Sequence, residues 1–239
     1  MANTYFQFKA FRIEQDRCAM KVCTDACIQG ALAARAIQQL QPQTVLDIGT
    51  GTGLLSLMLA QNGSFLRQDA IEINPEAAQQ AEENCRRADF PQSIRVIQAD
   101  VRTYVFSCLY DFIICNPPFY ENDWKSPSAA RNQAMHAADL QYGPLLDVID
   151  RQLAAQGLCC LMVPHDRLPK MLRMAADHRL YPRHIWQLRQ SEKHAPFRAV
   201  LLFGRQPLAL RESTLVIRQA DGNYTTACTD LMHPYYLYL

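Results

Sequence analysis

Nothing in the chain approaches the ~20 consecutive apolar residues that a membrane-spanning helix needs. The opening MANTYFQFKAF has neither the charged n-region nor the apolar h-region of a secretory signal, which points to a cytoplasmic protein. Nine cysteines are present, but none form C-x2-C pairs, and Cys23 with Cys27 alone makes a poor metal clip. This argues against a zinc knuckle and for reduced thiols that serve mostly as small buried hydrophobes. The dinucleotide fingerprint G-x-G-x-x-G is also missing, because Leu54 stands where its third glycine would fall. Repeats, linkers and low-complexity segments are absent. With 239 residues, 49% apolar and 20% charged, the chain fits one α/β domain spanning residues 1–239.

What is present centres on Val45 to Leu59, VLDIGTGTGLLSLML. Val45, Leu46 and Ile48 suit a short buried strand of a parallel sheet, which Asp47 interrupts near its end. Gly49, Gly51 and Gly53 follow at every second position, and a leucine-rich helix begins at Leu54. Strand, glycine turn and helix form half of a mononucleotide-binding unit, since glycine allows close backbone approach and positive φ. The blander reading is a glycine turn between two buried elements.

A second anchor is Asp111 to Tyr120, DFIICNPPFY, read as a strand ending in Asn116-Pro117-Pro118-Phe119. Two prolines fix φ and remove two donors, so the tetrapeptide is a rigid loop at a strand end. As strand four of the sheet whose first strand carries the glycines, it faces the same crevice at the carboxyl ends of the strands.

In chain order, clustered Tyr5, Phe6, Phe8 and Phe11 precede a helix over Ala26 to Leu40 with Thr24 or Asp25 as its N-cap. Ala70 to Ile73 forms a second strand, where Glu72 stands at the distance from the glycines that suits the ribose hydroxyls of an adenosine. A helix over Pro75 to Ala88 and a strand over Ile94 to Ala99 follow. Asp100, beside Val101, can accept from an adenine amine, or can simply cap a helix. Glu121 to Arg131 reads as a loop over the crevice. Leu145 to Leu153 is a helix stopped by Gly157, and Leu158 to Val163 a fifth strand. His165 to His178 is an amphipathic helix. Strands over Tyr181 to Leu188 and Ala199 to Phe203 come next, then a terminal hairpin of Leu215–Ile217 and Tyr224–Cys228.

Charge is divided unevenly. Residues 1–164 hold 13 Lys and Arg against 17 Asp and Glu, whereas residues 165–239 hold 11 against 6. A nucleic-acid partner would therefore be held by the back of the chain, and Lys193, His194 and Arg198, in the loop before the last sheet strand, are the candidate phosphate contacts.

The D-x-G-x-G-x-G loop resembles motif I of S-adenosylmethionine (AdoMet) methyltransferases, and N-P-P-F resembles their motif IV. With the N-terminal aromatics and the Gln15-to-Asp25 block in the same order, nearly the whole chain is similar to the bacterial tRNA1(Val) adenine-37 N6-methyltransferases. Phe119 stands where Tyr is commoner in that family; the stacking face is kept and a hydroxyl lost. The resemblance implies a class I, Rossmann-like fold with seven mostly parallel strands, helices on both faces and an antiparallel last strand. It also implies AdoMet as cofactor, bound by Lys21, Thr24, Asp25, Asp47, Gly49, Gly51, Gly53, Glu72, Asp100, Val101 and Asn116. Residues 1–40 would cover the cofactor. Asn116 and the Pro117 carbonyl would accept the two hydrogens of a target amine, next to Pro118 and beneath the stacking face of Phe119. A monomer acting on tRNA, with no metal and no membrane, is the implied assembly. The same motif also serves guanine N2 in rRNA and the amide of a protein glutamine, and a non-enzymatic nucleotide-binding module is the reading from another class.

Overall fold

The structure is a computed structural model that describes residues 3–18, 20–90, 94–117 and 142–239. The chain begins with a small antiparallel ribbon, β1 (Tyr5–Gln7) and β2 (Arg12–Glu14). Its apolar side chains Phe8, Phe11 and Ile13 are buried, with Phe8 and Phe11 stacked at 4.5 Å. Helix α1 (Thr24–Leu40) leads into β3 (Thr44–Ile48), the glycine turn and α2 (Leu54–Ala60). Then come β4 (Arg67–Glu72), α3 (Pro75–Arg87), β5 (Ile94–Gln98) and β6 (Tyr110–Cys115). Helix α4 (142–152) precedes β7 (Leu153–Pro164), a 3-10 turn, α5 (Leu168–Asp177), β8 (Tyr181–Arg189), β9 (Arg198–Gly204), β10 (Arg211–Val216) and α6 (Thr226–Met232).

The main sheet runs β10-β8-β9-β7-β6-β3-β4-β5. Every strand is parallel to its neighbours except β9, which is antiparallel to both β7 and β8. This is the class I methyltransferase arrangement expected above, with eight strands instead of seven. Alternation along each strand divides the core. Val45, Phe112, Ile114, Cys160, Met162 and Val200 face α1, α2 and α6, while Leu46, Ile113, Cys159, Leu161, Val163 and Leu201 face α4 and α5. Five of the nine cysteines, Cys27, Cys115, Cys159, Cys160 and Cys228, are buried, and all are free thiols.

Three local expectations are corrected. The terminal hairpin shrinks to a single antiparallel bridge, Arg218 with Tyr224, where the Thr225 amide donates to the Ile217 carbonyl at 3.0 Å. β10 adds to the sheet edge parallel to β8, and the second arm turns helical from Thr226 as α6, capped by the Thr225 hydroxyl, which accepts the Cys228 amide at 3.2 Å. Cys228, Leu231 and Met232 are buried at helical spacing, a period that the β-rich reading overlooked. Gly157 lies inside β7 instead of stopping α4; a Cβ there would stand 2.8 Å from Leu153 Cδ1 and 3.0 Å from the Tyr110 carbonyl. At α1 the N-cap is Cys23 in extended conformation, so Thr24 and Asp25 open the helix as its first turn. A carboxylate still suits that position, since it meets the positive end of the helix dipole.

Candidate active site

The glycine turn is held by Asp47, whose side chain is fully buried. Its Oδ2 accepts the Thr50 hydroxyl at 2.6 Å, the Ser56 hydroxyl at 2.7 Å and the Ser56 amide at 3.2 Å. One carboxylate thus ties the strand exit to both the turn and the first turns of α2. Burial pushes the Asp47 carboxyl up to about 6, against the opposing pull of those three bonds. Gly49, Gly51 and Gly53 adopt φ of 69°, 57° and 83°, a region that a Cβ disfavours. The space where a side chain would stand on Gly49 and Gly51 is open. Gly53 differs: a Cβ there would meet Cys85 Sγ of α3 at 3.2 Å, so this glycine serves close helix packing.

Strand register assembles the rest. Ile48, the last residue of β3, stands opposite Ile71 on β4 and Cys115 on β6. Gly49, Glu72 and Asn116 therefore follow at the ends of three adjacent strands, about 4.8 Å apart per strand. Glu72 Oε2 accepts the Gly51 amide and its Oε1 the Asn74 amide, each at 3.0 Å. An ionised carboxylate has about four lone-pair sites, so capacity for further donors remains. The Ala99 amide donates to the Glu72 carbonyl at 3.0 Å, which brings Asp100 to the same rim. Arg102 grips the Asp100 carboxylate through its amide and Nε, both at 2.9 Å, and holds it down to about 2. Val101 is half-buried against the lower core. Asn116 Oδ1 is buried with no partner among the described residues, and Pro117 is buried beside it. Pro118, Phe119, the Glu121-to-Arg131 stretch and Met135–Ala138 lie outside the described residues.

Residues 28–162, over half of the chain, match the Methyltransferase small domain family. A tRNA1(Val) (adenine(37)-N6)-methyltransferase from Dyadobacter fermentans is 38% identical over 98% of both chains. One from Tolumonas auensis is 36% identical over 99% of this chain and 98% of its own. The chain belongs to this methyltransferase family. In fold it is similar to the crystal structure of a predicted O-methyltransferase from Agrobacterium tumefaciens, with a TM-score of 0.65 at 15% identity over 89% of this chain and 97% of the other.

Around the family's glycine and Asn-Pro-Pro loops, the remaining expected residues are distributed unevenly. Lys21 is exposed, with Nζ donating to the Asn3 carbonyl at 3.2 Å. Thr24 is half-buried as the first residue of α1. Asp25 Oδ1 accepts the amide of the next residue, Ala26, at 3.1 Å, and its Oδ2 pairs with Arg198 Nε at 3.2 Å. Arg198 is thus the first residue of β9 and part of an ion pair, a correction to its expected place in the loop. The loop itself, 190–197, is at the carboxyl end of β8, the same end of the sheet as the glycine turn. There Lys193 is exposed, and His194 Nδ1 stands 2.8 Å from Ser191 Oγ. Among the described residues no group of three or more His, Cys, Asp or Glu could hold a metal ion, and no helix is long and apolar enough to cross a membrane.

Three buried amides, Asn84, Gln80 and Gln29, carry no motif in the sequence. Asn84 of α3 accepts the Glu14 amide at 3.0 Å and donates to the Glu14 carbonyl at 3.0 Å and the Thr52 carbonyl at 2.9 Å. With Gln80, which takes the Arg17 amide at 3.3 Å, it fastens the N-terminal segment to the glycine turn. Gln29 of α1 donates to the Cys115 carbonyl at 2.8 Å. All three are polar residues on otherwise apolar helix faces, and that was the available signal.

Proposed function

We propose that the chain methylates N6 of adenine 37 in tRNA1(Val) with AdoMet as methyl donor. The observation that carries this reading is the buried Asn116 Oδ1, without a partner among the described residues, which strand register sets beside an open glycine turn. The names of the relatives support the substrate.

The residues present fit AdoMet. The open faces of Gly49 and Gly51 admit a ligand against the backbone, and the half-buried Glu72 has lone pairs for two ribose hydroxyls. Asp47 and Gly53 shape the turn, Asp100 and Val101 take the adenine side, and Lys21, Thr24 and Asp25 belong to residues 1–40, which cover the cofactor in one catalytic unit with the core. When bound, AdoMet supplies a methyl group on a cationic sulfonium.

An exocyclic adenine amine is a poor nucleophile because its lone pair is delocalised into the ring. Asn116 Oδ1 and the Pro117 carbonyl accept its two hydrogens, which favours a pyramidal nitrogen and frees that lone pair. Phe119 provides the stacking face for the flipped base, worth ~1–3 kcal/mol in related systems. Holding the amine in line then supplies most of the acceleration. Such an enzyme works in the cytoplasm as a monomer, with no metal in the step.

The test is tritium transfer from labelled AdoMet into total tRNA, rRNA and protein. Label should appear in tRNA as N6-methyladenine; label in rRNA or protein instead would overturn the reading. Asn116→Ala should keep cofactor affinity and lose most turnover. If that variant turns over at the parental rate, the Asn-Pro-Pro segment is only a turn.

A further inference from the structure

Helix α1 presents Ala26, Cys27, Ile28, Gly30, Ala31 and Ala33 to the core, all buried. Gln29 is among them at 0% exposure. A primary amide in such surroundings is unfavourable unless it is bonded. Its Nε2 donates to the Cys115 carbonyl at 2.8 Å and reaches the Cys160 carbonyl at 3.5 Å, so it bridges the adjacent strands β6 and β7. Cys115 is the last residue of β6 and immediately precedes Asn116. The Gln29 Oε1 lacks a partner among the described residues, as does Asn116 Oδ1. Two buried acceptors without donors among the described residues therefore lie near one strand end, whereas buried polar atoms are ordinarily satisfied.

We propose that Gln29 is a positioning residue for the methyl-acceptor site: by holding the Cys115 carbonyl it fixes the strand end from which Asn116 projects. The inference rests on the functional reading above and adds a residue to it. The mechanical logic is short. α1 is anchored at its first turn by the Asp25–Arg198 pair. Its second turn reaches the β6 terminus through one amide, so the helix and the acceptor loop move together. Without that donor the β6 terminus loses its side-chain tie to α1, and the strand end is free to shift.

Gln29→Met keeps the length of the side chain and removes the donor; Gln29→Asn keeps the amide but shortens its reach and serves if the first variant folds poorly. Turnover in tRNA, KM for tRNA and AdoMet affinity are measured together with the NMR signal of the Asn116 side-chain amide, assigned by its loss in Asn116→Ala. We expect kcat to fall about 10- to 100-fold, as for a misplacement of about 1 Å, with KM and AdoMet affinity unchanged and the Asn116 signal shifted. Parental kcat with an unmoved signal would overturn the proposal. So would a loss of AdoMet affinity that matches the loss of rate, because Gln29 would then support the glycine turn. If the parent protein transfers no methyl group to tRNA, the functional reading fails, and the Asn116 signal alone decides the role of Gln29.

Discussion

Asp47→Asn separates the electrostatic part of the glycine turn from its hydrogen bonds. The folded protein raises the Asp47 carboxyl to about 6 against an ordinary 3.8. Because the folded state binds this proton more tightly, the stabilising contribution is complete below about pH 4 and is lost as pH rises toward about 6. A shift of about 2 units corresponds to about 3 kcal/mol. Asparagine has nearly the same shape, and its Oδ1 can take the place of the Oδ2 that accepts from Thr50 and Ser56. Its amide then occupies the side where the carboxylate has no partner, at a cost of about 1–3 kcal/mol that does not vary with pH. Asp47→Asn should therefore be less stable than the parent near pH 4 and should draw level or better near pH 7. For a chain of this size the change in the Tm difference is about 6–12 °C. Thermal melts of both proteins without cofactor across that range measure it, and titrations shared by both cancel in the difference. A Tm difference that stays constant with pH would refute the argument that Asp47 is held against its own charge.

Other perturbations test the rim. Asn84→Ala removes three bonds between α3, the N-terminal ribbon and the glycine turn, so hydrogen exchange over residues 12–17 should accelerate while β6 and β7 stay protected. Lys193→Ala should leave Tm unchanged and weaken tRNA binding, with the salt slope reduced by ~0.7–0.9 per lost contact; an unchanged slope would remove Lys193 from the docking surface. Arg198→Ala should in addition lower stability by about 1–3 kcal/mol, because Asp25 loses a charged partner that is mostly buried with it.

Legibility followed sequence distance. The glycine turn and the Asn-Pro-Pro segment could be read because glycine and proline restrict the backbone in ways that the string itself records. The parallel order of the central strands followed from apolar runs alternating with helical periods. The terminal hairpin is shorter than expected because its second arm, Tyr224–Cys228, turns helical from Thr226, and only the Thr225 cap and the buried spacing of Cys228, Leu231 and Met232 separate helix from strand there. Pairings across long stretches of chain left no mark at all. Asp69, fully buried, is held by Arg95 at 2.9 Å and the Tyr110 hydroxyl, yet each of those residues looks like ordinary surface or strand composition.

The basic C-terminal half shows the same limit on the functional side. Composition counts charges but does not say which are already engaged. Arg198 is paired with Asp25, Arg205 with Asp150, and Arg189 donates to the Glu192 and His194 carbonyls at 2.7 and 2.6 Å. These side chains brace the fold, and a phosphate would have to compete with an existing partner for each of them. The local excess of cations therefore overstates the number of phosphate contacts. The measured salt slope for tRNA should then correspond to fewer contacts than the eleven Lys and Arg of residues 165–239. A slope that accounts for all eleven would mean that the internal pairs open on binding, and Asp25→Asn, which removes the carboxylate that holds Arg198, would then tighten tRNA binding.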